Sequence, residues 1–367
     1  MRADDLRGKM IRHAVAPVVG KGQNMKALVL SEYKNLEIRE MPAPSPAEDE
    51  LLIRVEACGI CGSDVHGYDG STGRRIPPIV MGHEAAGTVE SIGSLVSGFR
   101  PGDRVTFDST VYCGQCFFCR RGQMNLCDRR EVIGVSTATF RRMGAFAEYV
   151  AVPARIAYLL PEDMPFSHAA LIEAASVAVH AVSLTQIALD DTVIVVGAGM
   201  IGLLVLQAAL RAGAGQVISL DVDETRLELA RKLGATHAIH SGTSDAITRI
   251  LELSEGRGAD AAIECVGTTV PVKLALDSVR KGGAVTLVGN VAPTIEFGLQ
   301  SAVTRQIRVQ GSCASSGEYP ACISLMSRGA LRVDPLISAV APLQDGGAWF
   351  QRLYSREPGL LKVVLEP

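Results

Sequence analysis

A chain of 367 residues exceeds the size at which a single hydrophobic core stops growing, so two domains are expected. An apolar fraction of 47% supplies ample core. A net charge of −3 gives no sign of nucleic acid as a partner, and no apolar run reads as a bilayer span.

Residues 1–24 mix Arg2, Arg7, Lys9 and Arg12 with Asp4 and Asp5 and close on Gly-Lys-Gly-Gln-Asn. They read as a flexible extension or a misassigned start, with Met25 opening the folded part. The two aspartates disfavour a transit peptide. Lys26–Leu30 and Leu51–Ala57 then read as strands, separated by a turn-rich stretch marked by Pro42, Pro44 and Pro46. Val105–Phe107 and Glu148–Val152 continue the short, Gly/Pro-punctuated strands of an irregular β-rich domain.

Two cysteine clusters lie in that domain. The first reads Cys58-Gly-Ile-Cys61-Gly-Ser63-Asp64-Val-His66, followed by Gly82-His83-Glu84. Cysteine, histidine and carboxylate are zinc ligands, and a catalytic zinc keeps one position open. A redox pair of Cys58 and Cys61 is the competing reading, but the βαβ context of a thioredoxin-like motif is missing. His83 alone would read as a buried structural histidine; its neighbours argue otherwise. The second cluster, Cys113, Cys116, Cys119 and Cys127, fits a closed tetrahedral structural zinc, against the plainer reading of reduced free thiols. Nine cysteines, mostly at short spacings, and no secretory leader favour metal-binding thiols in a cytoplasmic protein over a disulfide framework.

The second half is dominated by Val193–Asp221. Val193–Val196 reads as a strand buried on both faces. Gly197, Gly199 and Gly202 then supply G-x-G-x-x-G, for a tight turn, close approach of a pyrophosphate and helix–strand packing. The helix opening at Met200 and Ile201 offers unpaired N–H groups to phosphate, runs on through Leu203–Arg211 and stops at Gly213. A second strand, Val217–Leu220, ends in Asp221, 24 positions after Gly197, where an acid is expected to hold the adenosine ribose. A carboxylate there repels a 2′-phosphate, so NAD is favoured over NADP; Arg226 nearby could meet a phosphate, the ribose or adenine. Leu227–Leu233 continues as helix to Gly234. Ala261–Glu264 and Ala284–Val288 read as later strands. Their ends bring Val266, Val288 and Gly289 to the cofactor side. Cys265 reads as a small buried residue, and His237 and His240 as structural or surface residues. Leu361–Leu365 reads as a final strand.

On these residues the chain resembles the zinc-dependent medium-chain dehydrogenase/reductase family, in particular its sorbitol/polyol and threonine dehydrogenase branch. The motifs that carry the resemblance also include Ala170-Leu-Ile-Glu173-Ala-Ala-Ser176. It implies an α/β protein: a GroES-like β-rich catalytic domain over 25–175 and 313–367, and a Rossmann doubly wound parallel sheet over 176–312. It implies two zinc ions per chain. The catalytic one would be held by Cys61, His83 and Glu84, with Glu173 bound directly or through water; the structural one would sit in the four-cysteine lobe. Ser63 and His66 match the family's proton relay.

The implied reaction is hydride transfer between a secondary alcohol and NAD, in a homodimer or homotetramer. Threonine, a phosphorylated polyol, or a zinc-bound NADP-dependent reductase stand as alternatives. A zinc-free NADPH reductase and a non-catalytic dinucleotide-binding protein are disfavoured by the intact ligand and relay residues. One departure bears on the substrate. Sorbitol dehydrogenases contact polyol through an Arg-Tyr pair in the equivalent of Gly311–Pro320, where this chain has Ala314-Ser315.

Overall fold

The computed structural model describes residues 23–367. The expectation for 1–24 therefore lies almost wholly outside the described residues.

Two sheets organise the molecule. The first has the order Ala157–Leu159, Arg104–Phe107, Glu84–Ile92, Glu50–Gly59, Lys362–Glu366, Ile337–Pro342, with Tyr149–Pro153 also paired to Glu50–Gly59. Its pairs are antiparallel except the last, Lys362–Glu366 beside Ile337–Pro342. Alternating inward residues of Asn24–Glu32 and Glu50–Gly59, such as Leu28, Leu30, Ile53 and Val55, close on Phe107, Phe146 and Phe350 to form one core. The stretch read as turn-rich is in part a strand: Asn35–Pro42 pairs with Asn24–Glu32 along its full length. Pro42 is tolerated because it is the last residue of an edge strand.

The second sheet is parallel throughout, in the order His237–His240, Gln216–Asp221, Thr192–Val196, Ala259–Glu264, Val279–Leu287, Arg308–Gly311. In chain order this is 3-2-1-4-5-6, the doubly wound arrangement, whose switch point lies between Thr192–Val196 and Ala259–Glu264. Val193, Ile194 and Val195 are fully buried, as a strand covered by helices on both faces requires. The fifth strand starts at Val279, five residues earlier than expected, and carries Gly282 and Gly283 within it.

Phe166–Thr185 does have the length and apolarity of a membrane span, contrary to the sequence reading. It is instead a core segment, mostly buried inside the protein. Its helix Ile172–Thr185 packs on Met200–Ala212 and Tyr319–Ser327 and crosses residue 176, where the division between domains was expected.

The last strand is the return. Leu365 and Val364 face Cys58 and Gly59, and Ile60 N donates to Val363 O at 2.9 Å. The end of the chain is thereby laid against the first cysteine motif, 302 residues from Ile60 to Lys362.

Candidate active site

Cys61 caps the short helix Gly62–Gly67, its Sγ accepting from Ser63 N at 3.5 Å. His83 precedes, and Glu84 opens, the strand Glu84–Ile92, whose first pair is Gly59 with Glu84. A Cβ on Gly59 would lie 2.4 Å from Glu84 Oε2, so the glycine makes room for the carboxylate. The donor atoms of Cys61, His83 and Glu84 lie within 4.8 Å of one another. A thiolate, an imidazole and a carboxylate this close, two of them buried, fit a zinc ion.

The surroundings orient these donors. Asp64 is fully buried, and Arg75 donates to its Oδ1 from Nε at 3.1 Å and Nη2 at 2.8 Å. Asp64 Oδ2 faces His83 Nδ1 at 3.4 Å, a charge contact looser than a hydrogen bond. His83 Nε2 is left toward Ser63 Oγ, 3.5 Å away. A carboxylate on the far ring nitrogen is the usual support of a metal-bound histidine. Burial pushes the Asp64 carboxyl up, and His83 and Arg75 outweigh it, holding it well below the usual range.

Glu173 stands in the first turn of Ile172–Thr185 and is outside the close group of three. Ser109 Oγ donates to its Oε1 at 3.2 Å. Burial pushes its carboxyl up to about 7, with His83 opposing and Glu84 and Asp108 adding. Glu84 is tied differently: Lys362 Nζ donates to its Oε2 at 2.6 Å and to Ile60 O at 3.0 Å. Ser63 and His66 lie exposed on the helix Gly62–Gly67, and the His66 carbonyl accepts from Ser71 Oγ. Ala314 sits at a positive φ of 52°, and Ser315 is buried with Oγ donating to Asp108 Oδ2 at 3.4 Å.

The four sulfurs of Cys113, Cys116, Cys119 and Cys127 also lie within 4.8 Å of one another. Backbone N–H groups point at them: Cys113 N and Arg129 N to Cys127 Sγ, each at 3.3 Å, and Gln115 N to Cys113 Sγ at 3.5 Å. The N–H of Gln115 is the largest influence lowering the Cys113 thiol to about 6. Cys116 and Cys119 sulfurs are 3.5 Å apart, too far for a disulfide. The arrangement fits a closed four-thiolate zinc.

At the second sheet's switch point, Gly197 takes a φ of +96°, and a Cβ on Gly202 would sit 1.7 Å from Gly197 O. The helix Met200–Ala212, with Ile201 in its first turn, can approach the strand only with glycine there. Gly199 has open space around it. Asp221 is buried; its Oδ2 accepts from Ala198 N at 2.6 Å and its Oδ1 from Asp223 N at 3.0 Å. The expected ribose carboxylate thus also braces the glycine turn. Arg226, near the start of Glu224–Lys232, has Nε 3.7 Å from Asp223 Oδ2. Val288 N and Gly289 N both donate to Glu264 O, which stacks the loops carrying Val266 and Gly289 beside Gly197. Cys265 is half-buried and burial pushes its thiol well above the usual range, which suits a packing residue. His237 and His240 are the first and last residues of an outer strand, away from both cysteine clusters.

Asp64, Arg75, Ser109 and Lys362 were not singled out by sequence. Only Asp64 carried a signal, its place inside the cysteine motif.

A family model described as "Alcohol dehydrogenase GroES-like domain" matches residues 47–162, and one described as "Zinc-binding dehydrogenase" matches 201–328. Sorbitol dehydrogenase of Bacillus subtilis (strain 168) is 34% identical, over 94% of this chain and 98% of its own length. Among solved structures, a putative zinc-binding dehydrogenase from Sinorhizobium meliloti 1021 bound to NADP superposes with a TM-score of 0.86 at 34% identity, covering 94% of this chain and 100% of that one. Galactitol-1-phosphate dehydrogenase from Escherichia coli gives a TM-score of 0.86 at 28% identity, covering the same shares.

Proposed function

The chain belongs to the zinc-dependent medium-chain dehydrogenase family, in its polyol branch, and from that premise we propose that it oxidises a polyol, diol or sugar alcohol with NAD. That it is a zinc-dependent alcohol oxidoreductase using a nicotinamide cofactor follows from membership. The observation that carries the site assignment is the buried approach of Cys61, His83 and Glu84 donor atoms to within 4.8 Å.

In this reading Cys61, His83 and Glu84 hold the catalytic zinc, with Glu173 beside it, and the four-cysteine lobe holds a second, structural ion. Bound zinc supplies Lewis acidity that makes an alcohol hydroxyl more acidic, and the bound dinucleotide supplies the hydride acceptor. Asp64 keeps the His83 ring aimed. Ser63 Oγ, at the rim of the site, takes the substrate's proton, and His66, exposed on the same helix, releases it to solvent. Gly197, Gly199 and Gly202 admit the pyrophosphate to the N–H groups of Met200, Ile201 and the turn. Asp221 meets the adenosine ribose with the lone pairs left by Ala198 N and Asp223 N, which supports NAD. Val266, Val288 and Gly289 line the nicotinamide side. The division of labour assigns 25–175 and 313–367 to catalysis and 176–312 to the dinucleotide.

The strand Arg308–Gly311, Val309 included, is exposed along its whole length at the edge of the six-stranded sheet, with Leu299 and Val303 exposed on the helix that precedes it. An edge with open N–H and C=O groups pairs with another chain, which supports a homodimer or higher homo-oligomer. Clustered thiols that bind metal call for a reducing compartment, the cytoplasm.

The test is formation of reduced nicotinamide, followed by absorbance, over polyols, vicinal diols, sugar acids, polyol phosphates and threonine, with NAD and NADP, with and without a zinc chelator. Chelator-sensitive turnover of a neutral polyol or diol with NAD is expected. Preference for NADP, the cofactor in the S. meliloti structure, would show that Arg226 outweighs Asp221. No turnover of any alcohol by zinc-loaded protein would overturn the reading.

A further inference from the structure

Lys362 is the one buried lysine of the described residues, 2% exposed, and it stands on the C-terminal strand Lys362–Glu366. An ammonium is taken out of water only where partners hold it. Its partners are Glu84 Oε2 at 2.6 Å and Ile60 O at 3.0 Å, the residue before Cys61. Glu84 is itself 1% exposed, and its Oε2 rests against Gly59, where a Cβ would intrude to 2.4 Å. One oxygen of Glu84 is therefore committed on two sides, by charge and by packing.

The charges point the same way. Cys61 as thiolate and Glu84 as carboxylate already match a divalent cation, so the nearby Glu173, once ionised, adds one negative charge too many, and Lys362 cancels it. Resting on the zinc assignment proposed above, we propose that Lys362 is a positioning residue of the metal centre: it pins Glu84 Oε2 so that Glu84 offers the zinc a single oxygen, and it balances the charge of the ligand set. Without it Glu84 swings free to offer both oxygens, the ion gains a ligand, and the more negative site holds substrate hydroxyl less acidic.

The experiment compares the visible absorption of Co(II)-substituted wild type and Lys362→Met, in which the four-sulfur site cancels in the difference. The expected result is a weaker, shifted ligand-field band at equal cobalt content, with kcat lowered about 10- to 100-fold and the KM for NAD unchanged. Lys362→Arg, which keeps charge and donors, is expected to return the wild-type spectrum and most of kcat. A purely structural role would lower thermal stability and leave the spectrum per bound cobalt as it is; that result overturns the proposal. If Lys362→Met does not fold, Lys362→Gln is read by the same two criteria. Wild type that takes cobalt and oxidises alcohol beside a spectrally unchanged variant refutes the role of Lys362 alone. Wild type that takes cobalt only in the four-sulfur lobe refutes the zinc assignment and this role together.

Discussion

Arg75→Met removes one half of a buried ion pair and keeps most of the side chain's stem. Asp64 is 0% and Arg75 4% exposed, so solvent screens neither. Two of the guanidinium's N–H groups serve the same carboxylate oxygen, at 3.1 and 2.8 Å. Leaving the buried carboxylate with only its looser charge contact to His83 costs up to about 3–5 kcal/mol, a large part of the roughly 5–15 kcal/mol that holds a protein together. Bound zinc on His83 would offset some of this, so the loss is greater in chelator-treated protein. Trp349 provides the probe: it is the only tryptophan, and it packs against the core of the first sheet. Urea unfolding followed by its fluorescence should show a lower midpoint at constant slope, equivalent to up to about 3–5 kcal/mol. The double variant Arg75→Met/Asp64→Leu should recover most of the loss, since an apolar pair of similar volume often replaces a buried ion pair at little cost. A single variant within about 0.5 kcal/mol of wild type, the range of an ordinary surface change, would refute the claim that Asp64 carries buried charge.

Other perturbations address other parts of the molecule. Burial raises the Asp108 carboxyl to about 6, above its unfolded value, so the folded state binds its proton more tightly and loses stability as pH rises from about 4 to 6. Asp108→Asn should therefore stabilise at pH 7.5 by about 2–3 kcal/mol and gain less at pH 5, read by the same fluorescence; equal gains at both would contradict it. Gly202→Ala drives a methyl toward Gly197 O, to 1.7 Å before relaxation. Overpacking of about 1–3 kcal/mol predicts NAD binding weakened roughly 5- to 150-fold by calorimetry, with zinc content unchanged. Cys119→Ser should cost one zinc per chain by metal analysis and open 113–127 to proteolysis, while Cys61 still binds metal. Val309→Lys, on the exposed edge strand, should shift the oligomer toward monomer in light scattering; an unchanged mass would place the interface elsewhere.

The parts legible in the sequence are those whose geometry is local. Cys61, Ser63 and His66 belong to one turn of helix and its cap, and Gly197, Gly199 and Gly202 to one strand-turn-helix, so spacing alone brings them together. The doubly wound order follows from alternating strands and helices, and Asp221 from the end of its strand. What stayed hidden depends on pairings distant along the chain. Lys362 meets Glu84 across 278 positions, and nothing in Lys-Val-Val-Leu-Glu marks its lysine as buried. Arg75 resembles any surface arginine until the chain folds it over Asp64. Asn35–Pro42 reads as a turn because proline ends it, and Phe166–Thr185 does not read as a span because His168, Glu173 and His180 break its apolar run. That Glu173 leans on Ser109 rather than joining the close group of three is decided by how the helix Ile172–Thr185 packs, which composition does not encode.

The pairing of Lys362–Glu366 with Cys58 and Gly59 also sets an order in time. As the chain emerges during synthesis, Cys61, His83 and Glu84 appear early, but the strand that completes their sheet comes only after all six strands of the parallel sheet. The parallel sheet, contiguous in sequence, can fold as a unit while the earlier domain waits with an open edge beside its cysteines. Until the late strand docks, the first motif is an exposed thiol on an unfinished sheet, vulnerable to oxidation or to the wrong metal. Correct zinc loading in the cell is therefore expected as one of the last events in maturation, and chaperoning of the half-made protein would matter most for this edge.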